Sequence, residues 1–233
     1  MTAEECGYSP EPWLGSLIGV VGARGVGCTL LAECLAEELS SDASNRGLVA
    51  RTGATGAIDL DGLKAGHRFV VADIGSAATS AAISAASAFR ASGSLGAPSA
   101  QGISSTQSAP RTPTAADAAA TLSRCDLIAM IATPRPESLS WLTRTSEALE
   151  ALLGAERLLT VINRLPRRSS RRMADVAASL RRITGSAALA AGAPLLITES
   201  KAVARAARDG SAVQAALTQS LSVGVRLRLD SKP

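Results

Sequence analysis

A short apolar run that dissolves into glycines and then gives way to a helical rhythm constrains this chain more than any other stretch. Leu17 to Val21 reads as a buried strand. From Thr29 onward, Leu30, Leu31, Cys34, Leu35 and Leu39 recur at helical spacing, and the turn chemistry of Ser40 to Asn45 places the helix end near Leu39. Between strand and helix lie Gly22, Ala23, Arg24, Gly25, Val26, Gly27 and Cys28. The spacing Gly22-x-x-x-x-Gly27-Cys28-Thr29 satisfies the phosphate-binding pattern G-x-x-x-x-G-K-[ST] at every fixed position but one, where Cys28 replaces the lysine.

Such a loop can hold an anion without its lysine. Glycines let successive N–H groups converge on one point, and the helix N-terminus adds partial positive charge there. Residues Gly22 through Leu30 are therefore the candidate phosphate-binding segment, and Thr29 is placed to put its hydroxyl on a nucleotide-bound magnesium ion. The missing lysine removes a charge that counts most when negative charge redistributes in the transition state. The reading is binding kept and hydrolysis weakened or lost. A second metal candidate is Asp73, at the C-terminal tip of the apolar segment Phe69 to Gly75, where a carboxylate can hold magnesium through water.

With 233 residues the chain has room for one sizeable α/β domain and too little for two of average size. Apolar residues make up 46% but aromatics only 2%, so the core is expected to be built from Ala, Leu, Val and Ile. A net charge of +4, carried mostly by arginine, is compatible with nucleic acid, with an acidic partner, or with neither. The cysteines at 6, 28, 34 and 125 have no C-x-x-C spacing, and His67 is the sole histidine, which argues against a sulfur-ligated metal. Cys34 and Cys125 fall in apolar patterns as buried thiols, whereas Cys28 would be reactive if the helix dipole lowers its pKa. No signal sequence opens the chain and no apolar run approaches the ~18 residues of a membrane span, so a cytoplasmic, reducing setting is expected.

In chain order, residues 1–15 read as a polar leader and 16–229 as a single domain. Further strands are expected at Gly47 to Arg51, Phe69 to Gly75, Asp126 to Ala132, Arg157 to Ile162 (closed by Asn163 and Arg164) and Pro194 to Thr198. Helices are expected over 77–90, 137–153, 171–183, 201–208 and 211–221. Leu221, Val223, Val225, Leu227 and Leu229 alternate with small or charged residues, which is strand periodicity. The Ala/Ser/Pro tract at about 91–114 holds too few large apolar groups to offset its ordering entropy and is expected to be a disordered insert. Alternating β and α segments predict an α/β fold, a mostly parallel sheet with helices on both faces.

Taken together, these segments resemble the MinD/ParA group of bacterial P-loop ATPases, nearest its CpaE/TadZ-like, septum-site-determining-like branch. The loop Gly22 to Thr29 is similar to that branch's G-A-R-G-G-V-G-x-[ST], with Arg24 in place of the signature lysine once one glycine is removed. Val70 to Gly75 resembles the Walker B strand, Cys125 to Pro134 the strand that follows it, and Leu159 to Arg164 the strand whose asparagine contacts adenine. Pro194 to Val213 resembles the closing element, so the likeness spans nearly the whole chain. It implies a SIMIBI-like P-loop NTPase fold, ATP or ADP with Mg2+ as cofactor, Asn163 and Arg164 as nucleotide contacts, protein partners, and a homodimer. Both family lysines are missing, and Leu48 to Thr52 replaces the D-x-D strand that positions the attacking water. What the resemblance then implies is a degenerate member, a pseudo-ATPase whose nucleotide-sandwich dimer is compromised. A MinD-type membrane-targeting helix is not expected, given the alternation at 221–229.

Arg167, Arg168, Arg171, Arg172, Arg181 and Arg182 face only Asp175 among acids in their interval. They read as a solvated face, or as a surface for an anionic partner such as DNA backbone bound without sequence preference or an acidic membrane surface, which would make the protein peripheral to the membrane. The leading expectation is a nucleotide-binding positioning or assembly factor of a cell-envelope, secretion or septum apparatus. The alternatives are an active ATPase of the same type that binds DNA, and a Rossmann protein binding NADP through Gly22, Gly25 and Gly27, with Arg51 at the 2′-phosphate.

Overall fold

The computed structural model of the chain describes residues 15–41, 49–53, 60–76, 79–81, 83–84, 115–165, 194–198 and 219–230. Strand β1 runs Ser16–Gly22 and helix α1 Cys28–Ser41, followed by β2 Val49–Gly53, α2 Leu60–Gly66 and β3 Phe69–Asp73. Helix α3 spans Ala115–Arg124, β4 Leu127–Ala132 and α4 Pro136–Leu153; a 3-10 turn at Ala155–Arg157 leads into β5 Leu158–Leu165. Strand β6 is Leu195–Thr198 and α5 is Gln219–Asp230.

The six strands form one sheet in the order β2-β3-β1-β4-β5-β6, and every neighbouring pair is parallel. A parallel sheet needs crossovers that cover both faces, and the strands are accordingly apolar on both. On one face Ile18, Val20, Val71, Leu127, Ala129 and Ile131 pack against Leu31 and Leu35 of α1 and Leu221 and Val225 of α5. On the other, Leu17, Val70, Ile128 and Met130 pack against Leu122 of α3 and Leu142 and Leu149 of α4. The expected α/β architecture and the expected aliphatic core are both present.

The strand order settles one alternative. In a dinucleotide-binding Rossmann sheet β1 lies beside β2, in the order 3-2-1-4-5-6. Here β3 is inserted between them, with Leu17 opposite Val70 and Ala50 opposite Val70 from the other side. The Rossmann reading is therefore wrong.

The strand expected at 221–229 is also overturned, since α5 occupies this segment. The apolar residues at every second position split into two ladders of period four. Leu221, Val225 and Leu229 face the core, while Val223 and Leu227 stand 54% and 67% exposed on the opposite side. Gly224 lies close against Leu195 of β6, where a Cβ would collide with the leucine's methyl groups. Burial on one face, not alternation, decides the conformation. The ground on which a C-terminal helix was excluded therefore disappears.

Smaller differences concern boundaries. Strand β5 continues through Asn163 and Arg164 instead of closing there, and α3 falls where no helix is expected from composition. Of the helix expected over 77–90, residues 79–81 and 83–84 are helical. Residues 1–14 of the leader, the insert at 91–114, the helices at 171–183 and 201–208, residues 211–218 of the helix expected over 211–221, and the cluster Arg167, Arg168, Arg171, Arg172, Arg181 and Arg182 lie outside the described residues.

At the N-terminal ends of the strands, Asp126 Oδ2 accepts the Leu17 N–H at 2.9 Å and Lys64 Nζ at 3.0 Å. This stitching fixes the relative heights of β1 and β4. At the other end of the sheet, the same register brings the tips of β1, β3 and β4 level around the glycine loop.

Candidate functional site

Residues 23–27 form a curl between the tip of β1 and the first turn of α1. Gly25 and Gly27 have φ of 79° and 94°, a region that costs side chains with a Cβ about 1–2 kcal/mol. Val26 N–H donates to the Ala23 carbonyl at 3.3 Å, and Leu31 N–H to Gly27 at 3.0 Å, so the curl passes directly into the helix. At Gly22 the demand is steric. A Cβ there would stand 2.7 Å from the Ile131 carbonyl oxygen and from a Val26 methyl, and would collide with the Cys28 sulfur.

The curl is pinned from behind. Asn163, on β5 and 9% exposed, donates from Nδ2 to the Val26 carbonyl at 2.9 Å, and its Oδ1 accepts the Arg164 N–H at 2.8 Å. The structure thus brings Asn163 to the loop, with its amide engaged by the loop backbone. Arg164 adopts φ 59°, the sole positive value for a non-glycine residue among the described ones, beside a register irregularity between β5 and β6.

On the β3 flank of the loop, the Thr29 hydroxyl donates to Asp73 Oδ2 at 2.6 Å. The second carboxylate oxygen, Oδ1, is buried with no hydrogen-bond partner. Leaving a buried carboxylate oxygen unsatisfied costs roughly 1–3 kcal/mol or more, and a hydrated cation would relieve it. No group of three or more His, Cys, Asp or Glu side chains that could hold a metal exists among the described residues. One carboxylate and one hydroxyl suit magnesium, which keeps several waters and takes its remaining ligands from bound phosphates. The residues present therefore fit a phosphate-bound Mg2+, with Thr29 and Asp73 as its protein contacts.

Cys28 behaves differently from the expectation of an activated thiol. Its sulfur is tucked against Gly22, and burial, with the Asp73 carboxylate adding to the effect, pushes its pKa up to about 12. Desolvation outweighs the helix N-terminus, and the group stays a neutral thiol at pH 7. Cys34 and Cys125 are buried as expected, with pKa values raised to about 11 and about 12, chiefly by desolvation. No described lysine substitutes for the missing one: Lys64 sits at the opposite end of the sheet, bonded to Asp126.

A cleft of about 700 Å³ opens on the other flank of the loop, the β4/β5 side. Its walls are the loop residues Ala23 to Val26, the β4–α4 turn, the first turns of α4, and Arg164. The turn is held by Ser138, whose hydroxyl oxygen accepts the Thr133 N–H at 2.9 Å. Arg135, Trp141 and Arg144 also line the cleft, and none of them is conspicuous in the sequence. Arg144 lies two and a half turns beyond Arg135 along α4, a spacing no motif encodes.

No protein-family model and no curated protein sequence matches this chain. Solved structures do. The MinC:MinD cell division protein complex of Aquifex aeolicus is matched at 15% identity over 94% of this chain and 98% of that one, with a TM-score of 0.52. The MinD cell division protein of Aquifex aeolicus is matched at 12% identity over 94% and 99%, with a TM-score of 0.54. The fold is MinD-like. A ParA family ATPase from Chlorobium tepidum TLS aligns at 12% identity over 93% and 99%, with a TM-score of 0.49. Within this MinD-like fold, Gly22 to Leu30, Asn163, Arg164 and Asp73 lie at one end of the sheet.

Proposed function

We propose that the chain binds a magnesium nucleotide, ATP or ADP, in the loop Gly22 to Leu30 and has lost most or all capacity to hydrolyse it. The observation that carries this reading is the Thr29–Asp73 pair, with a carboxylate oxygen left buried and unpaired beside an anion-sized curl of backbone. Backbone amides and the α1 N-terminus supply the attraction for phosphate. Cys28, neutral and turned against Gly22, supplies none of the charge that would stabilise a departing phosphoryl group.

A protein that binds without rapid turnover serves as a scaffold whose shape or surface is set by occupancy. The MinD-like fold, and the pairing of one such relative with MinC, support a role in which protein partners read that state. By this reading the chain is a degenerate, CpaE/TadZ-like relative that helps to position or assemble an envelope, secretion or septum apparatus. No helix among the described residues is long and apolar enough to cross a membrane.

Titration calorimetry with ATP and ADP, with magnesium and with EDTA, tests the proposal. Magnesium-dependent binding that disappears in Thr29→Ala and Asp73→Asn supports it. Absence of binding in the intact chain overturns it, and steady turnover of ATP would replace it with the active-ATPase reading.

A further inference from the structure

The bond from Asn163 to Val26 does more than fasten the loop, because it decides which way one peptide of the curl faces. In a trans peptide the carbonyl and the N–H point in opposite directions. The Val26 carbonyl is drawn outward to β5, where it accepts from Asn163 Nδ2 at 2.9 Å, so the Gly27 N–H across the same peptide is turned to the hollow of the curl. The next carbonyl is committed as well: Gly27 accepts the Leu31 N–H at 3.0 Å, along the helix. A concavity that holds an anion needs its N–H groups inward and its carbonyl oxygens outward.

The orientation of the Asn163 amide is itself determined. Its Oδ1 accepts the Arg164 N–H at 2.8 Å, and since only the oxygen of an amide can accept from an N–H, the nitrogen is left facing Val26. The register irregularity between β5 and β6 and the φ of 59° at Arg164 fall at this point, so the strand departs from regular geometry where it makes the bond. Gly27, at φ 94°, completes the fit, because a Cβ there would stand 3.3 Å from Nδ2, closer than ordinary contact. Asn163 is 9% exposed, and both ends of its amide are engaged by the chain's own backbone.

We infer that Asn163 is a positioning residue for the phosphate and does not read the base. It holds the Val26–Gly27 peptide with the N–H toward the anion, and its contribution to affinity is the same whatever base the ligand carries. This rests on the reading that the loop binds a magnesium nucleotide, and it adds that through Asn163 the site selects polyphosphate and not adenine. The role differs from the adenine contact that the family resemblance implies for this residue.

Titration calorimetry of the full chain with ATP, GTP and inorganic tripolyphosphate, each with magnesium, tests the inference. Asn163→Ala, and Asn163→Leu, which keeps the volume and drops the donor, each weaken all three ligands at least tenfold, by factors that agree within about threefold. Asp126→Ala removes the acceptor shared by the Leu17 N–H and Lys64 at the opposite end of the sheet; it lowers the denaturation midpoint and leaves all three affinities within twofold. Thermal melting establishes that each variant is folded at the temperature of the titration. A loss confined to ATP overturns the inference, because it would put Asn163 on the base. So does unchanged affinity in both Asn163 variants, or a loss in Asp126→Ala as large as theirs, which would reduce the effect to stability. In each of these cases nucleotide binding itself stands, whereas failure of the unaltered chain to bind any of the three ligands overturns the nucleotide reading and the inference with it.

Discussion

Asn163 Nδ2 lies 2.9 Å from the carbonyl oxygen of Val26, a bond between residues 137 positions apart that ties the fifth strand to the glycine loop. Replacing Asn163 with Ala strands the Val26 carbonyl and the Arg164 N–H together. The expected cost is about 1–3 kcal/mol, read as a lower midpoint in chemical denaturation. Limited proteolysis should also open the loop first, because the loop loses its fastening before the sheet loses its core.

Two glycines of the loop should fail for different reasons. Gly22→Ala forces a methyl into the Ile131 carbonyl and the Val26 side chain, both at 2.7 Å, in a fully packed region. We expect a loss of about 1–3 kcal/mol with displacement of the Cys28 side chain, visible as faster reaction of that thiol. Gly25→Ala meets nothing within 4 Å and pays only for its φ of 79°, about 1–2 kcal/mol. Denaturation midpoints for the two variants, with thiol reactivity as the second readout, separate packing from backbone strain.

Alkaline pH should destabilise the fold through its cysteines. Cys28 and Cys125 have thiols raised from 9.0 to about 12 by burial, and Cys34 to about 11. Between about pH 9 and 11 the unfolded chain has released these protons and the folded chain has not, so stability falls as pH rises. The slope is up to about 1.4 kcal/mol per pH unit for each such thiol, and below pH 8 it vanishes. Denaturant titrations at pH 8, 9 and 10 check the sign, and Cys125→Ala should show a shallower decline.

Ser138→Ala removes the acceptor for the Thr133 N–H in a turn where both residues are buried. The expected destabilisation is about 1–3 kcal/mol. Hydrogen exchange should localise it, with the Thr133 amide losing protection while the centre of β4 keeps its own.

The sheet and the loop could be read in the sequence because their signals are local. An apolar run, two glycines and a threonine at fixed spacing specify strand, curl and helix without reference to the rest of the chain. Asp73 could be read too, as a carboxylate ending a strand. What stayed hidden depends on contacts that only the folded chain makes. The alternation at 221–229 carried helix and strand periods at once, and burial of Leu221 and Val225 chose between them. The pKa of Cys28 turned on a side-chain direction, toward Gly22, that no spacing encodes. Asn163 was found, but its partner on the loop was not, and the arginines of the cleft come from three segments that the sequence keeps apart.

The placement of β1 between β3 and β4 has a bearing on how the chain tolerates change. The two ends of the connection from Asp73 to Leu127 are moored on either side of a single strand, about 10 Å from each other. Their separation is fixed by the sheet, whatever lies between. Closing a longer connection across that gap costs only about 0.6 kcal/mol for each doubling of length. A change in the length of that connection therefore leaves the register at the glycine loop untouched.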